Sequence, residues 1–156
     1  MSRYLFILFV FCFPFTSKGQ DFIDKSREKV KEKLEQYLRD NGLHSVLTIN
    51  DSLISLRIED SSVKPTLFIF HFIDEKCVEE IKVSCDTCVI SYMNGILVNR
   101  SMQWKKMNDT TWLSRFSKRR MLVLELNGTM SALRIRKTNW DKKTYKGVIA
   151  TLDQTP

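Results

Sequence analysis

The sequence predicts an α+β fold: an antiparallel sheet of seven to eight strands with two helices packed on one face, in the order α-ββββ-α-βββ(β). Three observations carry that expectation. Two segments, at 21–42 and 87–102, space their apolar residues for helices that bury one side. The stretches between and after them are short, alternate in polarity and are punctuated by Asn, Asp and Gly. Those turns are far shorter than the dozen or so residues of a parallel crossover, so consecutive strands are expected to run antiparallel.

The chain opens with a segment that reads as a secretory signal. Arg3 precedes an unbroken apolar run from Tyr4 to Phe15, and the small residues Ser17 and Gly19 follow. A positive start, about a dozen apolar residues and a small-residue end place cleavage after Gly19. The run is shorter than the roughly 20 residues that span a bilayer. Cys12 lies between Phe11 and Phe13, unlike a lipid attachment site. The expected product is therefore secreted or periplasmic, with no transmembrane segment after signal cleavage and no lipid anchor. The Phe-rich run ending in Gly19-Gln20 resembles bacterial export signals. The resemblance covers the signal alone, and no family suggests itself for the remainder. Residues 20–156 are expected to form a single α+β domain, about 137 residues and large enough for a real core.

In the first helix Ile23, Val30, Leu34, Tyr37 and Leu38 make the apolar stripe. Asp21 or Asp24 is placed to cap its start, and Asn41-Gly42 supplies a left-handed stop. Its polar face carries both signs, which suits a helix lying on a sheet better than one lying on a membrane. Val46–Ile49 and Leu53–Glu59 flank Asn50-Asp51-Ser52 as a hairpin. Pro65 then opens Thr66–Ile73. Phe68, Phe70 and Phe72 share one face of that strand, and Leu67, Ile69, His71 and Ile73 share the other. Asp74-Glu75-Lys76 turns the chain into Cys77–Ser84, where Ile81 and Val83 are expected to face the core.

The second helix places Val89, Tyr92, Met93, Ile96 and Leu97 on one side, with Gly95 costing up to about 1 kcal/mol against alanine. Trp104–Met107, Thr110–Phe116, Met121–Leu126 and a strand containing Leu133 and Ile135 follow. Asn108-Asp109 and Asn127-Gly128 are their hairpin turns. A last short strand is expected from Tyr145 to Thr151. The order contains an echo: Leu47-Thr-Ile-Asn-Asp-Ser-Leu53 after the first helix, and Lys105-Lys-Met-Asn-Asp-Thr-Thr111 after the second, spaced by 58 positions from Leu47 to Lys105. It suggests two copies of a helix followed by a meander, joined into one sheet. The shared residues are also those of a common turn.

The formal net charge is +7 and falls to +5 when Arg3 and Lys18 leave with the signal. The charge is unevenly placed. Residues 20–99 hold 10 basic against 14 acidic side chains, and residues 100–156 hold 13 against 4. Such asymmetry either keeps the protein soluble or marks a surface for an unknown protein or anionic ligand. An exported address turns the expectation away from nucleic acid and towards an anionic glycan, a lipid surface or an acidic protein.

Three cysteines remain after cleavage: Cys77, Cys85 and Cys88. Cys85-Asp-Thr-Cys88 lies between a strand and a helix and resembles the thioredoxin-type motif, but thioredoxins place it in parallel βαβ units, and the hairpins here are antiparallel. Cys77 and Cys85 sit at opposite ends of one strand, roughly 26 Å apart at about 3.3 Å per residue, which exceeds the reach of a disulfide. Cys85 and Cys88 are therefore the disulfide candidate, structural or redox-active. A zinc site needs a second close pair of ligands beyond these, and neither His44 nor His71 supplies one. No GxSxG, HExxH or Gly-rich phosphate loop is present. Glu79 and Glu80 fall on opposite faces of a strand and cannot act as a paired acid and base. No catalytic residue, metal or cofactor is assigned. The best binding candidate is the cluster Arg115, Lys118, Arg119 and Arg120 with Trp104 and Trp112 nearby, where rings can stack while cations hold an anion. The expected function is a non-enzymatic binding protein, with a thiol–disulfide protein as the alternative.

Overall fold

The computed structural model describes residues 21–59, 64–116 and 119–154. The expected signal segment and Lys118 lie outside the described residues. In chain order the elements are α1 (Arg27–Asn41), β1 (Ser45–Ile49), β2 (Leu53–Ile58), β3 (Thr66–Ile73), β4 (Lys76–Ser84), α2 (Asp86–Leu97), β5 (Trp104–Asn108), β6 (Thr111–Ser114), β7 (Arg120–Glu125), β8 (Ser131–Lys137) and α3 (Lys142–Gln154). The strands form one eight-stranded sheet, β1-β2-β3-β4-β8-β7-β6-β5, and every neighbouring pair is antiparallel. Each unit of one helix and four strands thus runs from an edge of the sheet to its middle, and the units meet where β4 pairs β8. The arrangement is the one that the echo at 58 positions suggests.

Strand register sorts the side chains into two faces. One cross-strand row runs Ile54, Phe70, Glu80, Ile135, Leu122, Trp112, and the next runs Leu56, Phe68, Lys82, Leu133, Leu124. Both helices expected from the sequence cover this face. Val30 and Leu34 of α1 pack on Ile54, Leu56, Phe68 and Phe70, while Val89 and Met93 of α2 pack on Trp112, Leu122, Leu124 and Leu133. Ile81 is buried as expected and Val83 half-buried, but both lie on the face opposite these helices. Because Phe68 pairs Lys82 and Phe70 pairs Glu80, the row of phenylalanines under α1 carries Glu80 and Lys82 onto the helix side and sends Ile81 and Val83 to the other.

Two further differences have local causes. α1 begins at Arg27, because residues 24–27 pair with the β3–β4 hairpin. The Asp24 N–H donates to the Cys77 carbonyl (2.8 Å), and the Cys77 N–H donates to the Lys25 carbonyl (2.9 Å). Ser26 caps the helix, its hydroxyl accepting from the Lys29 N–H, and Asp21 and Asp24 are used elsewhere. Gly42 ends α1 at φ 58°, and its N–H reaches the Leu38 carbonyl, as the left-handed stop requires.

The segment expected as a last strand is instead helix α3, on the opposite face of the sheet. Tyr145, Val148, Ile149 and Leu152 recur at helical spacing and pack with Leu113 and Met121. Among the described residues the sheet is therefore covered by three helices, two on one face and one on part of the other. No helix among the described residues is long and apolar enough to cross a membrane.

Candidate functional site

Among the described residues, the second face of the sheet is covered by helix only in part. Its rows run Leu53, His71, Glu79, Arg136, Met121, Leu113; then Ser55, Ile69, Ile81, Arg134, Val123, Thr111; then Arg57, Leu67, Val83, Ala132, Glu125. α3 seats on the Leu113 and Met121 end. Over β2, β3 and β4 no described helix lies on this face. Leu67, Ile69 and Val83 are half-buried there, and Ile81 is buried. An ionic chain borders them: His71 Nδ1 is 3.5 Å from Glu79 Oε2, Arg134 Nη1 is 3.5 Å from Glu79 Oε1, and Arg134 Nε donates to Glu125 Oε1 at 2.8 Å. Arg57 and Arg136 are exposed beside it. Arg57 pairs with Glu59, so the surface is apolar at its centre and carries charges of both signs at its margin, with Arg57, Arg134 and Arg136 set against Glu59, Glu79 and Glu125. His71, between Ile69 and Ile73, takes the ordinary role of a sheet residue with one polar partner.

The residues of the basic cluster are placed in three different surroundings. Arg115 lies 3.3 Å from Asp153 of α3. Arg119, at φ 53°, donates to the Trp140 carbonyl at 2.8 Å. Arg120 is 2% exposed. Its Nη2 reaches the Ile23 carbonyl at 3.2 Å, Asp24 Oδ2 at 3.0 Å and Asp21 Oδ2 at 3.3 Å, and its own carbonyl accepts from the Tyr145 hydroxyl at 3.0 Å. Trp112 is buried, and Trp104 is half-buried against the α2 core. The two tryptophans lie on the α2 side, away from Arg115. Asp24 shows how Arg120 acts electrostatically. Burial works against its ionisation, but hydrogen bonds from Lys137 and Arg120 hold the carboxyl below its usual range.

Sequence reasoning missed a polar seam beneath the helices. Glu80 is 4% exposed, and its Oε2 has no hydrogen-bond partner among the described residues. Lys82 Nζ stands 3.8 Å from the Tyr92 ring centroid and 5.2 Å from that of Phe68, a cation held by ring faces rather than by a carboxylate. Burial pushes the Glu80 carboxyl up to about 8, nearby Asp21 adds to the shift and Lys82 opposes it. Burial likewise pulls Lys82 down to about 8 against the attraction of Glu80. The Tyr92 phenol is raised well above its usual range by burial, with Glu80 contributing. The signal that could have located this seam is the phase of β4 against the Phe68-Phe70-Phe72 row.

The two cysteines of the CxxC pair are at bonding distance, with their sulfurs 2.16 Å apart. Cys85 is the N-cap of α2, and its Sγ accepts the Cys88 N–H at 3.2 Å. Both residues are half-buried. Asp86, at the first turn, accepts a hydrogen bond from the hydroxyl of Ser131, which opens the neighbouring strand β8. Cys77 is a free, buried thiol, pushed up to about 12 chiefly by burial and next by Glu80, and a thiol so placed is inert. Among the described residues no group of three or more His, Cys, Asp or Glu is arranged to hold a metal ion. No family model matches the chain, and no curated protein or solved structure matches it.

Proposed function

We propose that this chain is a secreted or periplasmic, non-enzymatic binding protein that holds an acidic protein or other anionic partner on the half of its sheet over β2–β4. The observation that carries this reading is the unequal cover of the second face. α3 fills it over the second unit, whereas the first unit presents Leu67, Ile69 and Val83 within a charged margin in which Arg57 pairs with Glu59, Arg134 with Glu79 and Glu125, and Arg136 is exposed. Apolar centres with charged rims are the usual anatomy of a protein-binding surface. The basic cluster contributes less to such binding than its sequence spacing suggests, because Arg120 is buried and Arg115 and Arg119 stand in separate surroundings, beside Asp153 and the Trp140 carbonyl.

The test is capture from the native compartment with paired variants. Arg57→Glu with Arg136→Glu reverses charge on the proposed surface, and the captured partner should be bound at least about tenfold more weakly, roughly 1.4 kcal/mol. Lys142→Glu with Lys143→Glu changes the same number of charges on the exposed side of α3 and should leave capture intact. Equal capture by both variants would reject the sheet surface.

One observation favours a second reading as a thiol–disulfide protein. The Cys88 N–H pointing at Cys85 Sγ stabilises a thiolate on Cys85 once the bond is reduced. In that reading the Cys85 thiolate attacks a substrate disulfide to form a mixed disulfide and release one substrate thiol. Cys88 then resolves it, leaving the protein oxidised and the substrate as a dithiol. Reduced protein should cleave insulin disulfides, and Cys85→Ser should abolish that activity. Activity that survives the substitution removes this reading.

A further inference from the structure

β1 and β5 end the sheet and hold equivalent places in the two units, yet the two edges are finished differently. β5 carries Lys105 and Lys106, ties Lys105 to Asp153 of α3 at 2.7 Å, and slips register against β6 between Lys106 and Asn108. Lysines, a covering element and an irregularity are means by which a sheet keeps its edge from accepting another strand. Among the described residues β1 has none of them. Ser45-Val-Leu-Thr-Ile49 contains no charge and no proline, and its register with β2 is unbroken. Val46 and Ile49 are each 42% exposed.

The backbone shows which groups this edge offers. The Asn50 N–H donates to the Leu53 carbonyl and the Glu59 N–H to the His44 carbonyl, both at 2.9 Å, so residues 44 and 50 turn their peptide groups towards β2. Antiparallel ladders alternate. Val46 and Thr48 therefore also bond inwards, while Ser45, Leu47 and Ile49 direct their N–H and C=O groups away from the sheet.

We propose that β1 pairs with β1 of a second copy of this chain, antiparallel about a two-fold axis at Leu47. The strand is complementary to itself in that register. Leu47 meets Leu47, Ser45 meets Ile49 and Val46 meets Thr48, with no like charges opposed and every outward peptide group satisfied. His44 comes opposite Asn50 and next to Asp51 of the second copy, which adds a favourable polar contact at each end. Among its described residues each copy has one unguarded edge, so a two-fold pair consumes both and closes as a dimer, whereas two open edges would propagate a filament. The result is one continuous sheet through both copies.

Sedimentation equilibrium of the purified protein over a range of concentration should give twice the chain mass at the upper end. Amide exchange should be slow at Ser45, Leu47 and Ile49 as well as at Val46 and Thr48. Val46→Glu with Thr48→Glu places carboxylates opposite one another across the axis at two exposed positions, and the carboxylate introduced at position 46 has Arg57 beside it within its own chain. That variant should sediment as a single chain, and exchange at positions 45, 47 and 49 should become fast while the inward amides stay protected. The proposal is overturned if the unaltered protein keeps single-chain mass at every concentration or shows fast exchange at the three outward amides. A dimer that survives the double substitution overturns it as well. Because the wild-type exchange pattern alone decides the matter, a variant that fails to fold does not shield the proposal. None of these readouts depends on the partner surface over β2–β4.

Discussion

Arg120→Ala is expected to destabilise the fold by about 3 kcal/mol, the lower end of the range for breaking a buried ion pair. Arg120 is 2% exposed, and Asp21, Asp24 and the Ile23 carbonyl converge on its guanidinium. Truncation leaves those acceptors facing a cavity and cuts the bond between the segment ahead of α1 and β7. Asp24 is 47% exposed on its side chain, so water recovers part of the loss and the upper end of the range is not reached. Arg120→Lys keeps the charge but cannot reach all of these acceptors, and should recover only part of the stability. Urea unfolding of the three proteins measures the difference, and a loss below about 1 kcal/mol for alanine would show the clamp to be dispensable.

The second large effect is a gain. Glu80 is charged in the unfolded chain above its ordinary value of 4.5, but in the fold it stays protonated up to about 8. An acid whose folded pKa is raised imposes no penalty below its unfolded pKa, and the penalty grows as pH rises until it levels off at the folded pKa. Stability should therefore fall between pH 5 and pH 7.5 by about 3 kcal/mol, at roughly 1.4 kcal/mol per unit. Lys82 acts in the opposite sense, but its change falls between about 8 and its ordinary 10.5, above this window. The lowered carboxyl of Asp24 loses its contribution only as pH drops below 3.8. Glu80→Gln keeps the shape of the neutral acid, so it should flatten the pH profile and exceed the wild type at pH 7.5. Parallel unfolding profiles for the two proteins would exclude Glu80 as the source.

The sheet, both helices on its first face and their approximate places follow from patterns that are local in the chain. The Phe68, Phe70 and Phe72 row, the stripe of Val30 and Leu34, and Asn41-Gly42 each express one period or one turn. What escaped was phase and competition. Ile81 and Val83 look like core residues beside Glu80 and Lys82, and only the pairing of Phe70 with Glu80 decides which pair goes under the helices. Residues 145–152 satisfy a strand by β-branched content and a helix by spacing, and the Leu113 and Met121 surface that selects the helix lies far away in sequence. For the site, the cysteine pair was legible because three residues of helix bring its members together. The dispersal of Arg115, Arg119 and Arg120 was not, since the partners Asp153, Trp140, Asp21 and Asp24 all come from distant segments.

The order of the sheet also bears on how the chain reaches it. Six of the seven ladders join strands that are consecutive in sequence, and only β4 with β8 closes a long loop. Short closures cost little chain entropy and form first. A polypeptide that emerges from its N-terminus can complete α1 and the first meander before β5 is available. The second meander can then set its own register by hairpins and dock as a preformed body along one strand. Arg120 reaches back 96 positions to Asp24 and 99 to Asp21, so the clamp that holds the segment ahead of α1 can engage only after that docking.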